Sequence, residues 1–208
     1  MILIGLTGSI GMGKSTTARL MADEMDIPFH DADAAVHKSL GPDGAAVKPV
    51  LDLFPEAIDY DEHNRVFVNR QALGREVFND TLKMKQLEDI LHPLARASSR
   101  QFVEQCRKQG RDFAVLDIPL LFETGAEKRV DVTFCVSAPE NIQRQRVLSR
   151  PGMTEDKFKR ILAKQIPDAE KRERADYIIM TDKGLDDTRR QIHTILNDIK
   201  ASVKTEQN

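Results

Sequence analysis

Short apolar runs recur along the chain without the polar alternation of a strand wet on one side. They fall at residues 2–6 (ILIGL), 27–30 (IPFH), 113–118 (FAVLDI), 132–136 (VTFCV) and 177–180 (YIIM). Continuous runs of this length, bounded by turn residues, are the mark of parallel strands buried on both faces. Between them lie stretches with apolar residues three and four apart, beginning with STTARLMADEM from residue 15, and these read as amphipathic helices. The alternation predicts an α/β fold, a five-stranded parallel sheet in three layers with right-handed crossovers. One interval is out of proportion: roughly eighty residues separate the second and third strands, far more than a crossover helix needs. Within it, GPDG and FPEAIDYDEHN read as turn-rich joints, and NRQALGREVFND and LKMKQLEDILHPLARASSRQFVEQCRKQG as helices. In an open α/β sheet ligands sit at the carboxyl ends of the strands, so an insertion there builds a wall for a second substrate.

The link from the first strand to the first helix carries candidate chemistry. GLTGSIGMGKST, residues 5–16, fits G-x-x-x-x-G-K-[ST] with Gly8 and Gly13 at the fixed glycines, in the strand–loop–helix setting that a phosphate-binding loop requires. Glycines let such a loop curl and aim its N–H groups at an anion, and the helix dipole adds its positive end. The predicted nucleotide contacts are Gly8, Gly11, Met12, Gly13, Lys14, Ser15 and Thr16. Lys14 reaches the β- and γ-phosphates and Ser15 ligates Mg²⁺ in this scheme. Lys14 otherwise reads as a solvated loop lysine that adds little to the core.

Charge and composition narrow the partners. Thirty-one basic residues against 33 acidic ones leave a net charge of −2, with no basic surplus for nucleic acid. No apolar run approaches the ~20 residues of a membrane span, and the N-terminus opens on a strand rather than a signal peptide. Cys106 and Cys135 lack metal or redox spacing and read as reduced thiols of a cytoplasmic protein. The expected state is a monomer or weak homo-oligomer, and only the end, KASVKTEQN, reads as a fraying tail.

Four further groups could carry chemistry. Asp31 and Asp33, directly after the second strand, share one face if the strand persists, one holding the metal's water shell and the other taking a proton. Either could instead cap the helix that follows. Asp117 ends the third strand, where many nucleotide hydrolases hold Mg²⁺; Leu120 three residues on lacks the glycine of a GTP switch. Arg146 and Arg150 lie four apart, hence on one helix face. A Pro-Gly break follows, then a second helix from Thr154. That pair fits a lid whose arginines spread charge on a transferring phosphoryl group, and fits a solvated basic helix as well. In LHPLAR, Pro93 at a first helical position makes His92 a neighbour of the N-cap, while Arg96, like Arg65, Arg70 and Arg75 in the insert, offers a cation to an anionic substrate.

Taken together, IGLTGSIGMGKST, DAD at 31–33, NRQALGREVF, LHPLAR, DIPLLFE, RVLSR and AEKRERADYII make the chain resemble the dephospho-CoA kinase family essentially end to end. The resemblance implies a P-loop kinase fold and transfer of the ATP γ-phosphoryl, with Mg²⁺, to the ribose 3′-hydroxyl of dephospho-CoA. It divides the chain into a nucleotide-binding core (1–38, 111–145, 167–208), a coenzyme-binding insertion (39–110) and a lid (146–166). It also implies Asp33 as general base, Asp31 as a metal-side partner, His92 and Arg96 on the acceptor side, and Arg146 and Arg150 on the ATP phosphates. Thr181 stands where relatives commonly carry Asn near the adenine, and the adenine contacts stay open. The alternatives are another small-metabolite kinase of the shikimate or gluconate type, whose smaller acceptors need no such insert, and an ATP-dependent binding module, which has little use for paired aspartates and a lid.

Overall fold

The computed structural model describes residues 1–78 and 80–206. Its strands are β1 (Ile2–Thr7), β2 (Phe29–Asp31), β3 (Ile58–Tyr60), β4 (Val66–Val68), β5 (Phe113–Asp117), β6 (Val132–Ser137) and β7 (Tyr177–Met180). Its helices are α1 (Lys14–Met25), α2 (Ala32–Leu40), α3 (Val47–Leu53), α4 (Arg70–Val77), α5 (Thr81–Lys108), α6 (Glu140–Leu148), α7 (Glu155–Leu162), α8 (Asp168–Arg174) and α9 (Leu185–Glu206). Five strands make one parallel sheet in the order β2-β5-β1-β6-β7, and each lies on a run marked in the sequence. The chain divides into two compact units, Met1–Phe29 with Cys106–Asn208, and His30–Gln105.

In the first unit, strand parity explains why the apolar runs are continuous. Ile4 and Leu6 of β1, Phe113 and Val115 of β5, and Phe134 and Val136 of β6 share one core. That core also takes Ala18 and Met21 of α1 and Ile192, Ile195 and Ile199 of α9. The intervening residues face the other way: a Cβ on Gly5 would meet Val130 and Leu121. Leu121 belongs to a second cluster with Phe122 and Ala126. On β6 the same alternate face carries Thr133, hydrogen-bonded to Asp176, and Ser137, which donates to Asp168 at 2.7 Å. Both faces of the sheet are therefore covered, giving three layers. β1 is central, with Leu6 level with Asp117 of β5 and Thr7 level with Cys135 of β6. The loop leaving Thr7 thus starts beside the carboxyl end of β5. Cys106 and Cys135 are free and buried; burial pushes the Cys135 thiol up to about 12 and raises Cys106 as well, so neither thiolate forms readily.

The second unit has its own core, with Leu40, Val50, Phe54, Val68, Leu73, Val77 and Leu87 buried together. The stretch read as a turn-rich joint contains a hairpin, β3 against β4, with Ile58 opposite Val68. Its turn is fixed by Asp61, whose Oδ1 accepts from the backbone N–H groups of His63 and Arg65. Arg65 is in turn paired with Asp61 and Asp43. Pro93 does not start a helix, contrary to expectation; it lies inside the continuous α5. An interior proline costs roughly 3 kcal/mol of helix stability. Met84, Leu87, Ile90, Leu91 and Leu94, packed along the same core, supply the burial that offsets it. At the other end of the chain α9 is helical through Glu206, so most of the predicted fraying tail is ordered as helix; its last two residues lie outside the described ones.

His30 makes this second unit sensitive to pH. Its Nε2 lies 2.9 Å from Ser98 Oγ and its ring packs on Phe102. Its Nδ1 is buried with no partner among the described residues, so protonation would bury an N–H with nothing to donate to. Burial holds the imidazole below its ordinary value, with Asp31 opposing weakly. The unfolded chain then binds more protons than the folded one near and below the ordinary value of 6.5, so stability falls as acid is added through that window. The melting temperature of the wild type should drop between pH about 7.5 and about 5.5 by more than that of His30→Gln. Equal drops would show that His30 is not the titrating group.

Candidate functional site

The phosphate loop is built where β1 ends. Gly8 lies so close to β6 that a Cβ would sit 2.6 Å from the Val136 carbonyl oxygen, and Gly13, at φ 95°, would place one 3.0 Å from Thr181 Oγ1. Only glycine fits the first contact and adopts the second conformation without strain. α1 begins at Lys14 with Gly13 at its N-cap, no side-chain cap and no acidic residue in its first turn. Its opening N–H groups and the dipole end are thus presented together, an arrangement that receives anions.

Side chains from several elements hold the loop in this shape. Gln143 of α6 donates to the Ile10 carbonyl at 2.8 Å, and Gln165, after α7, accepts from the Ile10 N–H at 3.2 Å. The buried Met12 side chain receives the Ala138 N–H on its sulfur at 3.2 Å, so its side chain serves packing and its backbone faces the loop. Thr181 donates to the Met12 carbonyl at 2.7 Å. None of Gln143, Gln165 or Thr181 belongs to a motif, because a glutamine or threonine gives no periodic or compositional signal.

Lys14 forms an ion pair with Asp117, and both side chains are largely buried, at 14% and 6% exposure. The solvated lysine expected from the sequence is therefore corrected: β5 brings a carboxylate level with the loop, and the ammonium turns inward to it. Ser15 and Thr16 are exposed at the start of α1. The segment after Asp117 is fixed from below by Lys171 of α8, which is fully buried. Its ammonium pairs with Glu123 at 2.8 Å and donates to the Pro119 carbonyl at 3.1 Å. Burial pushes the Glu123 carboxyl up, but Lys171 and the N–H groups of Glu123 and Ile166 outweigh it and bring the carboxyl below its usual range. In the sequence, Lys171 looks like one charge in a solvated helix, AEKRER.

The two helices expected around the Pro-Gly break are α6 and α7. Thr154 caps α7, accepting from the Lys157 N–H, and Arg144 joins α6 to α7 through a two-pronged pair with Glu155. Arg146 and Arg150 do not share a helix face, since α6 ends at Leu148 and Arg150 follows in the turn. Both nevertheless line one cavity of about 320 Å³ with Gly11, Thr16, Leu185 and Thr188. Arg146 is anchored in it by Thr181, through Oγ1 at 2.8 Å and the backbone carbonyl at 2.7 Å.

The remaining predicted residues lie in the second unit. β2 ends at Asp31 and α2 starts at Ala32, so the strand does not persist to put Asp31 and Asp33 on one face, and the helix-cap alternative holds for Asp31. Asp31 turns the chain into the helix, its Oδ1 accepting from the Ala34 N–H at 2.9 Å, while Asp33 is exposed in the first helical turn. Arg70 opens α4 behind Asn69, which accepts from the N–H groups of Gln71 and Ala72, and it lines a hollow of about 310 Å³ with His37 and Phe67. His92 and Arg96 are exposed on α5, one turn apart on one face. Arg65 is already committed to its two aspartates.

The hard oxygens of Ser15 and Asp117 suit Mg²⁺. Among the described residues no group of three or more His, Cys, Asp or Glu could hold a metal by itself. No helix among the described residues is long and apolar enough to cross a membrane.

Lys14→Ala removes the ammonium that faces the buried Asp117 carboxylate and should lower the unfolding free energy in urea by about 3 kcal/mol. Replacing both residues, as Lys14→Met with Asp117→Leu, should recover most of the loss. Wild-type stability in the single variant would show the pair to be of no structural weight.

Comparison with known proteins accounts for this set of features. A sequence model of dephospho-CoA kinase matches residues 2–187. A dephospho-CoA kinase of Mesorhizobium japonicum is 48% identical over 200 residues, covering 96% of this chain and 98% of that protein. A solved structure from Thermus thermophilus superposes with a TM-score of 0.78 at 34% identity, covering 95% of this chain and 97% of its own. The dephospho-CoA kinase of Campylobacter jejuni superposes with a TM-score of 0.62 at 25% identity, covering 95% and 96%. The loop that receives phosphate, the aspartate-ended strand beside it and the matched length agree, and the chain belongs to the dephospho-CoA kinase family.

Proposed function

We propose that the residues assembled above divide the work of the family's reaction, in which the γ-phosphoryl group of ATP passes to the ribose 3′-hydroxyl of dephospho-CoA in the final step of CoA biosynthesis. ATP lies on Gly8, Gly11, Met12, Gly13, Lys14, Ser15 and Thr16, and its base and ribose extend along the cavity toward Leu185. Lys14 leaves Asp117 for the β- and γ-phosphates, exchanging one anionic partner for another of greater charge. Ser15, Asp117 and Asp31 would hold Mg²⁺, which would supply neutralisation of the charge of the ATP phosphates. Arg146 and Arg150 neutralise charge on the phosphoryl group in transit.

Asp33 orients the acceptor hydroxyl and takes its proton. Positioning matters more here than strong deprotonation, because the transition state of phosphoryl transfer is loose. Arg70, His92 and Arg96 bind the anionic acceptor. In this reading residues 1–38, 111–145 and 167–208 form the nucleotide core, 39–110 the coenzyme site and 146–166 the lid. The enzyme works in the cytoplasm as a monomer or weak homo-oligomer, without nucleic acid or membrane. The observation that carries the reading is the uncapped start of α1, with Lys14 paired to Asp117 beside it.

A coupled assay of ADP release, run with and without dephospho-CoA, tests it; ADP release should require the acceptor. Arg96→Ala should raise KM for dephospho-CoA by roughly 10- to 150-fold, the worth of one charge-assisted contact, and leave KM for ATP nearly unchanged. Loss of ATP affinity with the acceptor's intact would move Arg96 to the nucleotide side. Asp33→Asn should keep ATP binding within a few-fold and cut kcat by roughly 10²-fold or more, as for a lost proton acceptor. Normal turnover in a variant that melts at lower temperature would make Asp33 a helix-terminal residue only.

A further inference from the structure

Thr181 follows β7 immediately and is 8% exposed. Its backbone N–H donates to the Ser137 carbonyl at 2.9 Å, which carries the β6–β7 pairing one residue further. Its hydroxyl then serves two elements. It donates to the Met12 carbonyl at 2.7 Å and accepts from Arg146 Nη1 at 2.8 Å. A carbonyl can only accept and a guanidinium can only donate, so the direction of each bond is fixed by its partner, and the single hydroxyl proton goes to Met12 in preference to the Ser137 carbonyl at 3.4 Å. The Thr181 carbonyl accepts from Arg146 Nη2 at 2.7 Å, making the arginine's attachment two-pronged. A Cβ on Gly13 would lie 3.0 Å from Thr181 Oγ1 and 3.2 Å from its Cγ2, so Thr181 also bounds the space beside the residue from which α1 starts.

We propose that Thr181 is a positioning residue for ATP, acting through the phosphate loop and Arg146 together. Its hydroxyl fixes the Met12 carbonyl, and with it the peptide linking Met12 to Gly13. Through the same oxygen it holds Arg146 in the wall of the cavity that opens on Gly11 and Thr16. Arg146 has five N–H bonds to give, of which Thr181 takes two; the other three are directed by that attachment. The loop and the arginine are thus ordered before ATP arrives, and the ordering cost is removed from binding. This inference rests on the phosphate loop being the ATP site.

Two substitutions separate the hydroxyl from the shape of the side chain. Thr181→Val keeps the branched outline and removes the hydrogen bonds of Oγ1, whereas Thr181→Ser keeps the hydroxyl. Titration with a fluorescent ATP analogue, steady-state kinetics and thermal melts should be read on both. Thr181→Val should raise the Kd of the analogue and the KM for ATP by about 10-fold, the scale of a charge-assisted bond lost, with KM for dephospho-CoA within a factor of about two. Thr181→Ser should return the Kd to within about 3-fold of wild type, since its hydroxyl makes the same bonds. If Thr181→Val does not fold, Thr181→Ala makes the same comparison with serine. A valine or alanine variant that melts lower but binds the analogue as wild type does would overturn the proposal. Equal loss of binding in serine and valine would overturn it as well, since shape alone would then be at stake. A wild-type protein that does not bind the analogue, or binds it unchanged in Gly13→Ala, would instead remove the ATP-site reading on which the proposal rests.

Discussion

An ammonium and a carboxylate, Lys14 and Asp117, meet at the ends of neighbouring strands with most of their surface withdrawn from water. Withdrawing both charges costs several kcal/mol per ion, and their attraction compensates only while the two remain close. Closeness here comes from the register of β1 and β5, which sets Leu6 level with Asp117. The loop after Thr7 therefore begins at the height of the carboxylate, and the first residue of α1 can reach back to it. A shift of one residue in that register would turn the carboxylate to the opposite face of the sheet. The pair also fits the chemistry, because a lysine balanced against one carboxylate can exchange it for phosphate oxygens without being desolvated anew.

Around this pair the nucleotide unit is tied mostly by neutral groups. Gln143, Gln165, Ala138 and Thr181 each hold the phosphate loop by its backbone or by the Met12 side chain. Amide and hydroxyl partners fix geometry without adding negative charge where an anion must bind. The buried charge that is present, Lys171 with Glu123, is set behind the segment following Asp117 and neutralises itself. The positive potential at the start of α1 is left to the dipole, Lys14 and the flap arginines.

The central strands β1, β5 and β6 were legible because they are buried on both faces and so appear as unbroken apolar runs, whereas the edge strands β2 and β7 are partly exposed; the phosphate loop was legible because only glycine satisfies its close approaches. Asp117 could be read from the strand that it ends. What escaped the sequence has physical reasons too. The β3–β4 hairpin has strands of three residues each with partly exposed positions, too short for alternation to show. Pro93 looked like a helix start because local chemistry favours that, yet packing of α5 along the second core overrides it. A shared face for Asp31 and Asp33 depended on the strand persisting, but Asp31 is a good helix cap and the strand ends there. Gln143 and Gln165 are ordinary residue types that no local pattern marks, and the roles of Thr181 and Lys171, though both lie in stretches noted in the sequence, come from partners far away in the chain.

Two contacts carry the proposed transfer, Lys14 on the phosphates and Asp33 on the acceptor hydroxyl whose proton it takes. A crystal structure of the complex with a non-hydrolysable ATP analogue and dephospho-CoA measures both contacts at once. Lys14 Nζ should lie on β- and γ-phosphate oxygens instead of on Asp117. An Asp33 carboxylate oxygen should lie about 2.6–3.2 Å from the ribose 3′-oxygen, within reach for proton transfer. Lys14 still paired with Asp117 while the analogue is bound, or Asp33 out of reach with another carboxylate at the 3′-oxygen, would contradict the proposed transfer.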